Sequence, residues 1–441
     1  MKLNTLTPLV ILILCLNINL QALAQSETLT LQKAVDEALG HSPKVQKSES
    51  VFRETGWKKT ESYAGFLPTL TASGSYLFDK KYALTDVNIG NGPLTIPQIV
   101  PTTNFLLTAQ WSVFDGLRSM NRYWSAESFE ESAKDDFDWT RFQVEREVVV
   151  LFYKALAAKE LKAVAEQNVR ALEDHLKDVR LYKKVGSATN LDVLRIEVQM
   201  SEAQSELLNA TDNVDSTKAR LSEALGEDKD IASVDGALPQ LKSDLVSKLE
   251  KMNHEGRKDL KALQARAEGF RHQEDAAERF LVPQVSLFGQ YQYYNNRDDR
   301  FDDYDKFRDA YQYGVMLTWN LFDGMSSISK SKQSIEQKYQ AEKTLRQSEL
   351  KAQRDFDFWK RKFVYFCSVY ESRKNDIVKA EESVRLSREG QKVGARTNTD
   401  VLDAEAELYR AKAGAVNAQV GAIEAIVNLE LSTGEKLVQF N

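Results

Sequence analysis

Val185-Gly186-Ser187-Ala188-Thr189-Asn190-Leu191-Asp192-Val193-Leu194 and Val393-Gly394-Ala395-Arg396-Thr397-Asn398-Thr399-Asp400-Val401-Leu402 share Val-Gly, Asn and Asp-Val-Leu in one register, 208 residues apart (393 − 185 = 208). The same spacing carries Phe114-Asp115-Gly116 to Phe322-Asp323-Gly324, Glu197 to Glu405 and Gly226-Glu227 to Gly434-Glu435. A gap-free register over so many points marks a tandem duplication, with a period far beyond the roughly 20 to 50 residues of stacked solenoid repeats. Residues 25–227 form a first repeat, 228–247 an inter-repeat segment and 248–441 a second repeat.

Each repeat alternates two periodicities. Leu70, Ala72, Gly74, Tyr76 and Phe78 alternate with Thr69, Thr71, Ser73 and Ser75, and Phe105, Leu107, Ala109, Trp111 and Val113 repeat the pattern, giving a hairpin over 67–115. In the second repeat, Val285, Leu287, Gly289, Tyr291 and Tyr293, then Tyr313, Val315, Leu317, Trp319 and Leu321, give a hairpin over 282–323. Each run is about the 9 to 11 residues a tilted strand needs to cross a bilayer. Tyr76, Trp111, Tyr291, Tyr313 and Trp319 are the candidate lipid-facing aromatics of interfacial girdles. The connections, 79–103 with its prolines and Asn295 to Asp309 with its mixed Asp and Arg, read as solvent-exposed loops. The cluster Asp298, Asp299, Asp302, Asp303 and Asp305 is interleaved with Arg297, Arg300 and Arg308 and lacks a glycine turn, which argues against a calcium site.

The remainder reads as helix. No proline or glycine interrupts Leu117 to Lys184, and Met325 to Gln391 mirrors it with Gly390 as its one break. Leu29 to Ala64 and Ala188 to Leu225 read as shorter arms. In the last helix Tyr409, Ala413, Val416, Val420, Ile423 and Val427 form one seam and Ala404, Ala411, Ala415, Ala418, Ala422 and Ala425 a second, about 200° away at ~100° per residue. Two narrow seams mean two neighbours, as in a single curved layer of helices.

Composition limits the function. Lys2, the apolar run Leu9 to Leu16 and Ala22-Leu23-Ala24 make residues 1–24 an expected secretory signal. Cys15 lies inside that run behind Leu14, where a lipoprotein signal would want a small residue, which argues against lipid attachment and leaves Cys367 as the only expected mature cysteine, without an internal disulfide partner. No later stretch approaches the roughly 20 apolar residues of a spanning helix, so a membrane crossing must use strands. The net charge of −6, evenly spread, opposes a nucleic-acid partner. His41, His175, His254 and His272 lack metal-ligand spacing and there is no phosphate-binding glycine loop, so neither catalysis, a metal nor a cofactor is expected. Four strands cannot close a barrel, since the smallest closed ones have about 8, and an open edge cannot face lipid. The chain must therefore oligomerise.

With Leu29-Thr30-Leu31, Phe66-Leu67-Pro68, the Phe-Asp-Gly strand exits and above all the run Val393 to Ala404, the chain resembles the outer-membrane efflux proteins, the TolC-like outer-membrane factors. The resemblance implies a homotrimer in the outer membrane. Its 12-stranded β-barrel, four strands per chain, would continue into a periplasmic α-helical barrel that meets a periplasmic adaptor and an inner-membrane pump or ABC exporter, for efflux or type I secretion. It also implies that the turns after the long helices lie at the periplasmic tip. Val185, Gly186, Leu191, Val193, Leu194, Val393, Gly394, Val401 and Leu402 are then the adaptor-docking candidates. Asp400 and Asp403 would form acidic rings, and Arg396 and Asp192 a latch whose usual tyrosine is here Gln391.

Read from the residues alone, Gly186 and Gly394 are helix C-cap glycines and Asn190 and Asn398 N-caps, with Asp192 and Asp400 in the following first turns. The competing reading is a periplasmic coiled-coil adaptor or scaffold. It is opposed by the presence of two hairpin tips rather than one and by strands lying between helices.

Overall fold

A computed structural model describes residues 28–78, 84–88, 90, 92–97, 101–226, 231–247, 256–295 and 306–440. The expected signal and the acidic cluster Asp298 to Asp305 lie outside them. The elements in chain order are α1 (Leu31–His41), α2 (Pro43–Tyr63), β1 (Thr69–Tyr76), β2 (Leu84–Asn88), β3 (Pro93–Pro97), β4 (Thr103–Phe114), α3 (Arg118–Lys184) and α4 (Asn190–Leu225). They continue with α5 (Asp244–Ser247), α6 (Lys258–Glu278), β5 (Gln284–Asn295), β6 (Arg308–Thr318), α7 (Ser326–Lys392) and α8 (Asn398–Thr433). The chain divides into two compact units, one of residues 50–135 and 261–347, the other of the remaining segments. Among the described residues no helix is long and apolar enough to cross a membrane.

The first unit carries an antiparallel sheet in the order β1-β4-β5-β6. Its register puts Ala72 opposite Leu107, Leu107 opposite Tyr291 and Tyr291 opposite Tyr311. Alternation then gathers Leu70, Tyr76, Phe105, Trp111, Leu287, Tyr291, Tyr313, Val315 and Leu317 on one face. The other face is polar, with Gln292 donating to Asn104 at 2.8 Å and Gln284 to Ser112 at 3.0 Å. Within the described residues β1 and β6 are paired on one side only.

Three features depart from the sequence reading. The 79–103 connection contains the hairpin β2–β3, tied by Thr95 Oγ1 donating to Asp86 at 2.6 Å. Its prolines, 93 and 97, sit at the two ends of β3, where a missing N–H is tolerated. The arm Leu29 to Ala64 is two helices, because Pro43 cannot continue α1 but suits the first position of α2. Finally β6 ends at Thr318, which leaves Trp319 and Leu321 beyond the ladder.

Trp319 is held instead by its indole N–H, which donates to the Leu281 carbonyl at 2.9 Å, as Trp111 does to Phe66 at 2.9 Å. Asp115 and Asp323 then start the long helices. Asp115 accepts from the backbone N–H of Arg118 and Ser119 at 3.0 and 2.8 Å, and Asp323 from that of Ser327 at 3.0 Å.

The second unit is built on a core of Val148, Val149, Phe152 and Tyr153 from α3, Leu221 and Leu225 from α4, Phe356, Phe363 and Cys367 from α7, and Ile423, Ile426 and Leu429 from α8. Ala34 and Ala38 of α1 and Leu238, Leu241 and Val246 of the inter-repeat segment complete it. Leu29 pairs with Val234 in a parallel bridge, which ties the start of the chain to that segment. Burial pushes the Cys367 thiol up to about 11, so it is an inert core group. All six alanines of the second α8 seam are buried, as are Val416, Ile423 and Val427 of the first.

An ion pair is enclosed in this core: Arg146 Nη1 donates to Glu430 Oε2 at 2.7 Å, and Glu430 Oε1 accepts from the N–H groups of Leu437 and Val438 at 2.7 and 2.9 Å. Removing Glu430 leaves Arg146 with Glu145 alone, at 2.7 Å, and takes the acceptor from the N–H groups of Leu437 and Val438. Glu430→Ala is expected to cost about 3 kcal/mol or more, read as a lower urea midpoint of helical circular dichroism, whereas an unchanged midpoint would show the pair to be dispensable.

Candidate functional site

The two hairpin tips, α3 to α4 and α7 to α8, both lie in the helical unit. Each long helix ends in a Schellman turn. Gly186 N–H donates to Lys183 and Ser187 N–H to Tyr182, at 3.1 and 2.8 Å; Gly394 N–H donates to Gln391 and Ala395 N–H to Gly390, at 3.0 and 2.8 Å. Gly186 and Gly394 take φ of +81° and +73°, which a β-carbon disfavours.

The N-caps of the returning helices are one residue earlier than the sequence reading placed them. Thr189 and Thr397, not Asn190 and Asn398, cap α4 and α8, each in a reciprocal box with the aspartate three residues on. Asp192 accepts from Thr189 N–H at 2.9 Å and Oγ1 at 2.6 Å, and Asp400 from Thr397 N–H at 2.7 Å and Oγ1 at 2.9 Å. These bonds hold both carboxyls below the ordinary value of 3.8, with Arg195 adding to the effect at Asp192 and Arg396 at Asp400. The asparagines do other work. Asn190 accepts from Lys183 Nζ at 2.9 Å, while Asn398, buried, donates to the Asp192 backbone carbonyl at 3.4 Å and so links the two tips.

The expected Arg396 to Asp192 latch is not formed within the chain. The cap bonds at Asp192 both use Oδ2, and the tips are linked by Arg195 Nη1 donating to Thr399 Oγ1 at 3.1 Å. Asp403 is exposed and Gln391 half-buried. Of the docking candidates, Val185, Leu191, Leu194 and Val393 are exposed, as are the two glycines. Val193 and Val401 are buried and cannot meet a partner, and Leu402 is half-buried against the cluster of Leu176, Val179, Val193 and Ile196.

Sequence reasoning passed over an ion pair that is itself duplicated. Arg180 Nη2 donates to Glu197 at 2.7 Å, and 208 positions on Arg388 Nη2 donates to Glu405 at 2.6 Å. Glu405 is buried and also meets His175 Nδ1 of α3 at 3.3 Å, so three helices share one carboxylate. The recurrence of Glu197 at Glu405 was the available signal.

Because both capping carboxyls are depressed on folding, the stability they contribute is present above pH ~4 and lost as pH falls through that value. Thr189→Ala should cost about 1 kcal/mol and Thr397→Ala act in the same direction, measured as faster amide exchange at the start of each helix. Unchanged exchange in either variant would deny its cap that role.

The family model for outer membrane efflux proteins matches residues 34–227 and 251–435. In backbone the chain is similar to the outer membrane protein VceC of Vibrio cholerae, at 17% identity and a TM-score of 0.77 over 92% of this chain and 97% of the other. It is similar to the CmeC outer membrane channel of Campylobacter jejuni, at 13% identity and 0.74 over 92% and 85%. The MtrE outer membrane channel of Neisseria gonorrhoeae in its open state gives 16% identity and 0.72 over 92% and 89%. At these identities the likeness is one of fold. No curated protein sequence matches the chain.

Proposed function

This chain belongs to the outer membrane efflux protein family, and we propose that three copies act together as the outer-membrane conduit of a tripartite export machine. The barrel would take four strands from each copy, with its apolar faces toward lipid. The observation that carries this reading is the sheet: one continuous apolar face, and edges at β1 and β6 with no partner among the described residues. Unpaired backbone N–H and C=O groups are not tolerated in hydrocarbon, so the edges must be closed by further copies. Two copies would give about the 8 strands whose interior side chains fill; three leave room for a channel. Tyr76, Trp111, Tyr291, Tyr313 and Trp319 would sit against the lipid.

The helical unit supports the same count of neighbours. Val198 and Leu208 on α4 and Leu350, Phe358, Tyr365, Val378 and Leu386 on α7 leave apolar side chains exposed, which adjacent copies would cover. The exposed tip residues Val185, Leu191, Leu194 and Val393 would meet a periplasmic adaptor, itself bound to an inner-membrane pump or ABC exporter. Cargo selection would rest with that pump, and the conduit would work without a cofactor and without catalysis.

The tips would form the mouth. Three-fold repetition of Asp400 and Asp403 makes it favour cations, and Arg195, which stands where the second repeat has Asp403, partly offsets that charge. In detergent the protein should migrate as a heat-resistant trimer; a monodisperse monomer would remove the proposal. In planar bilayers Asp400→Ala with Asp403→Ala should lower the preference for cations and Arg195→Gln raise it. Ion selectivity untouched by the double variant would refute the acidic mouth.

A further inference from the structure

The duplication exchanges side-chain bulk at the tips. In the first, the C-terminal turn of α3 carries Tyr182 and the following loop Ala188, both half-buried against Leu176, Val179, Val193 and Ile196. The equivalent positions in the second, 208 residues on, are Gly390 and Arg396. The large side chain has moved from the helix to the loop.

Gly390 lies within α7, where glycine is a conformational cost that alanine would avoid. Its backbone is helical, so no unusual φ demands it. Space does: a β-carbon at Gly390 would lie 2.6 Å from Arg396 Cγ and 3.3 Å from Arg396 Cβ. The Gly390 carbonyl also accepts from Ala395 N–H at 2.8 Å and Arg396 N–H at 3.2 Å, which fixes the loop directly over the helix.

We propose that Gly390 is a positioning residue, a seat that folds Arg396 back along the last turn of α7 and so presents its guanidinium beside the Asp400 cap instead of letting it swing toward Asp192. Only the second tip then carries a cation in its turn held by contact with a helical glycine, and the resistance of the mouth to opening depends on that restraint. The inference rests on the reading of the tips as the mouth of the channel. A Cβ at Gly390 would displace Arg396 without altering any charge.

The test is a double-mutant cycle on the full-length trimer in planar bilayers, with Gly390→Ala, Arg396→Ala and both together. Gly390→Ala should change the open probability about twofold or more, the lower end of coupling between side chains in contact, and should change it no further when Arg396 is already alanine. An equal effect in both backgrounds would reduce Gly390 to a matter of helix propensity and overturn the proposal. So would an effect of Arg396→Ala with none from Gly390→Ala. If neither single variant alters opening, the tips are not the mouth, and the seat falls with that separate reading.

A second measurement does not depend on conductance. The thiol in Arg396→Cys should react faster with a water-soluble reagent when Gly390→Ala is added, against a low background because Cys367 is buried. An unchanged rate would show that nothing was seated.

Discussion

The constraint on which the rest depends is the pair of strand edges, at β1 and β6, that have no partner among the described residues. A sheet with open edges has no stable place in lipid, so in the proposed membrane setting one chain is incomplete by itself. That incompleteness propagates into the helices. If neighbouring copies must flank the sheet, the helices attached to it also acquire neighbours on both sides. On α8 both seams, the alanines and Val416, Ile423 and Val427, are already covered within one chain, and the apolar side chains left for neighbours are on α4 and α7. Small alanines on one seam bring backbones close, and larger side chains on the other set a wider spacing.

Duplication supplies two versions of every part, and their divergence is where function can reside. At the first tip Leu176, Val179, Tyr182 and Ile196 make a small core; the matching positions in the second are Val384, Ser387, Gly390 and Ala404, each smaller. Packing energy follows buried apolar area, so the second tip is held less by its core and more by polar links. Those links are the ones observed: the Thr397 box, Asn398 to the Asp192 carbonyl, Arg195 to Thr399, and Arg388 with His175 on Glu405.

The two long helices and the amphipathic strands were legible in the sequence because both signals are periodic and long. Glycine and proline are missing from Leu117 to Lys184, and period-2 alternation persists through all four strands. The 208-residue register exposed the tips. What was missed was local and steric. The capping box could be read as Thr189-Asn190-Leu191-Asp192 and Thr397-Asn398-Thr399-Asp400, but asparagine is as good a cap as threonine by type, and only the reciprocal bond from the aspartate distinguishes them. The β2–β3 hairpin was hidden by prolines that normally signal a loop. The Arg396 to Asp192 contact is not made within one chain, and Asp192 serves its own helix as a cap, a double use that residue type alone does not announce.

That double use changes how the acidic residues of the tips must be understood. Asp192 and Asp400 are first structural groups: each satisfies backbone and hydroxyl donors of its own turn, and those bonds favour the ionised form. A carboxylate stabilised in this way keeps its charge at neutral pH at no cost to the fold, so capping and electrostatic roles reinforce each other. Asp403 has no such anchor, and its counterpart in the first repeat is a cation, Arg195, bonded to Thr399 and lying close enough to Asp192 to lower its carboxyl further. Charge at the tips is therefore layered. One level carries two restrained aspartates per chain with Arg396 acting on one of them, and the next an aspartate and an arginine; were the tips the mouth, an ion would meet these two levels within a single helical turn.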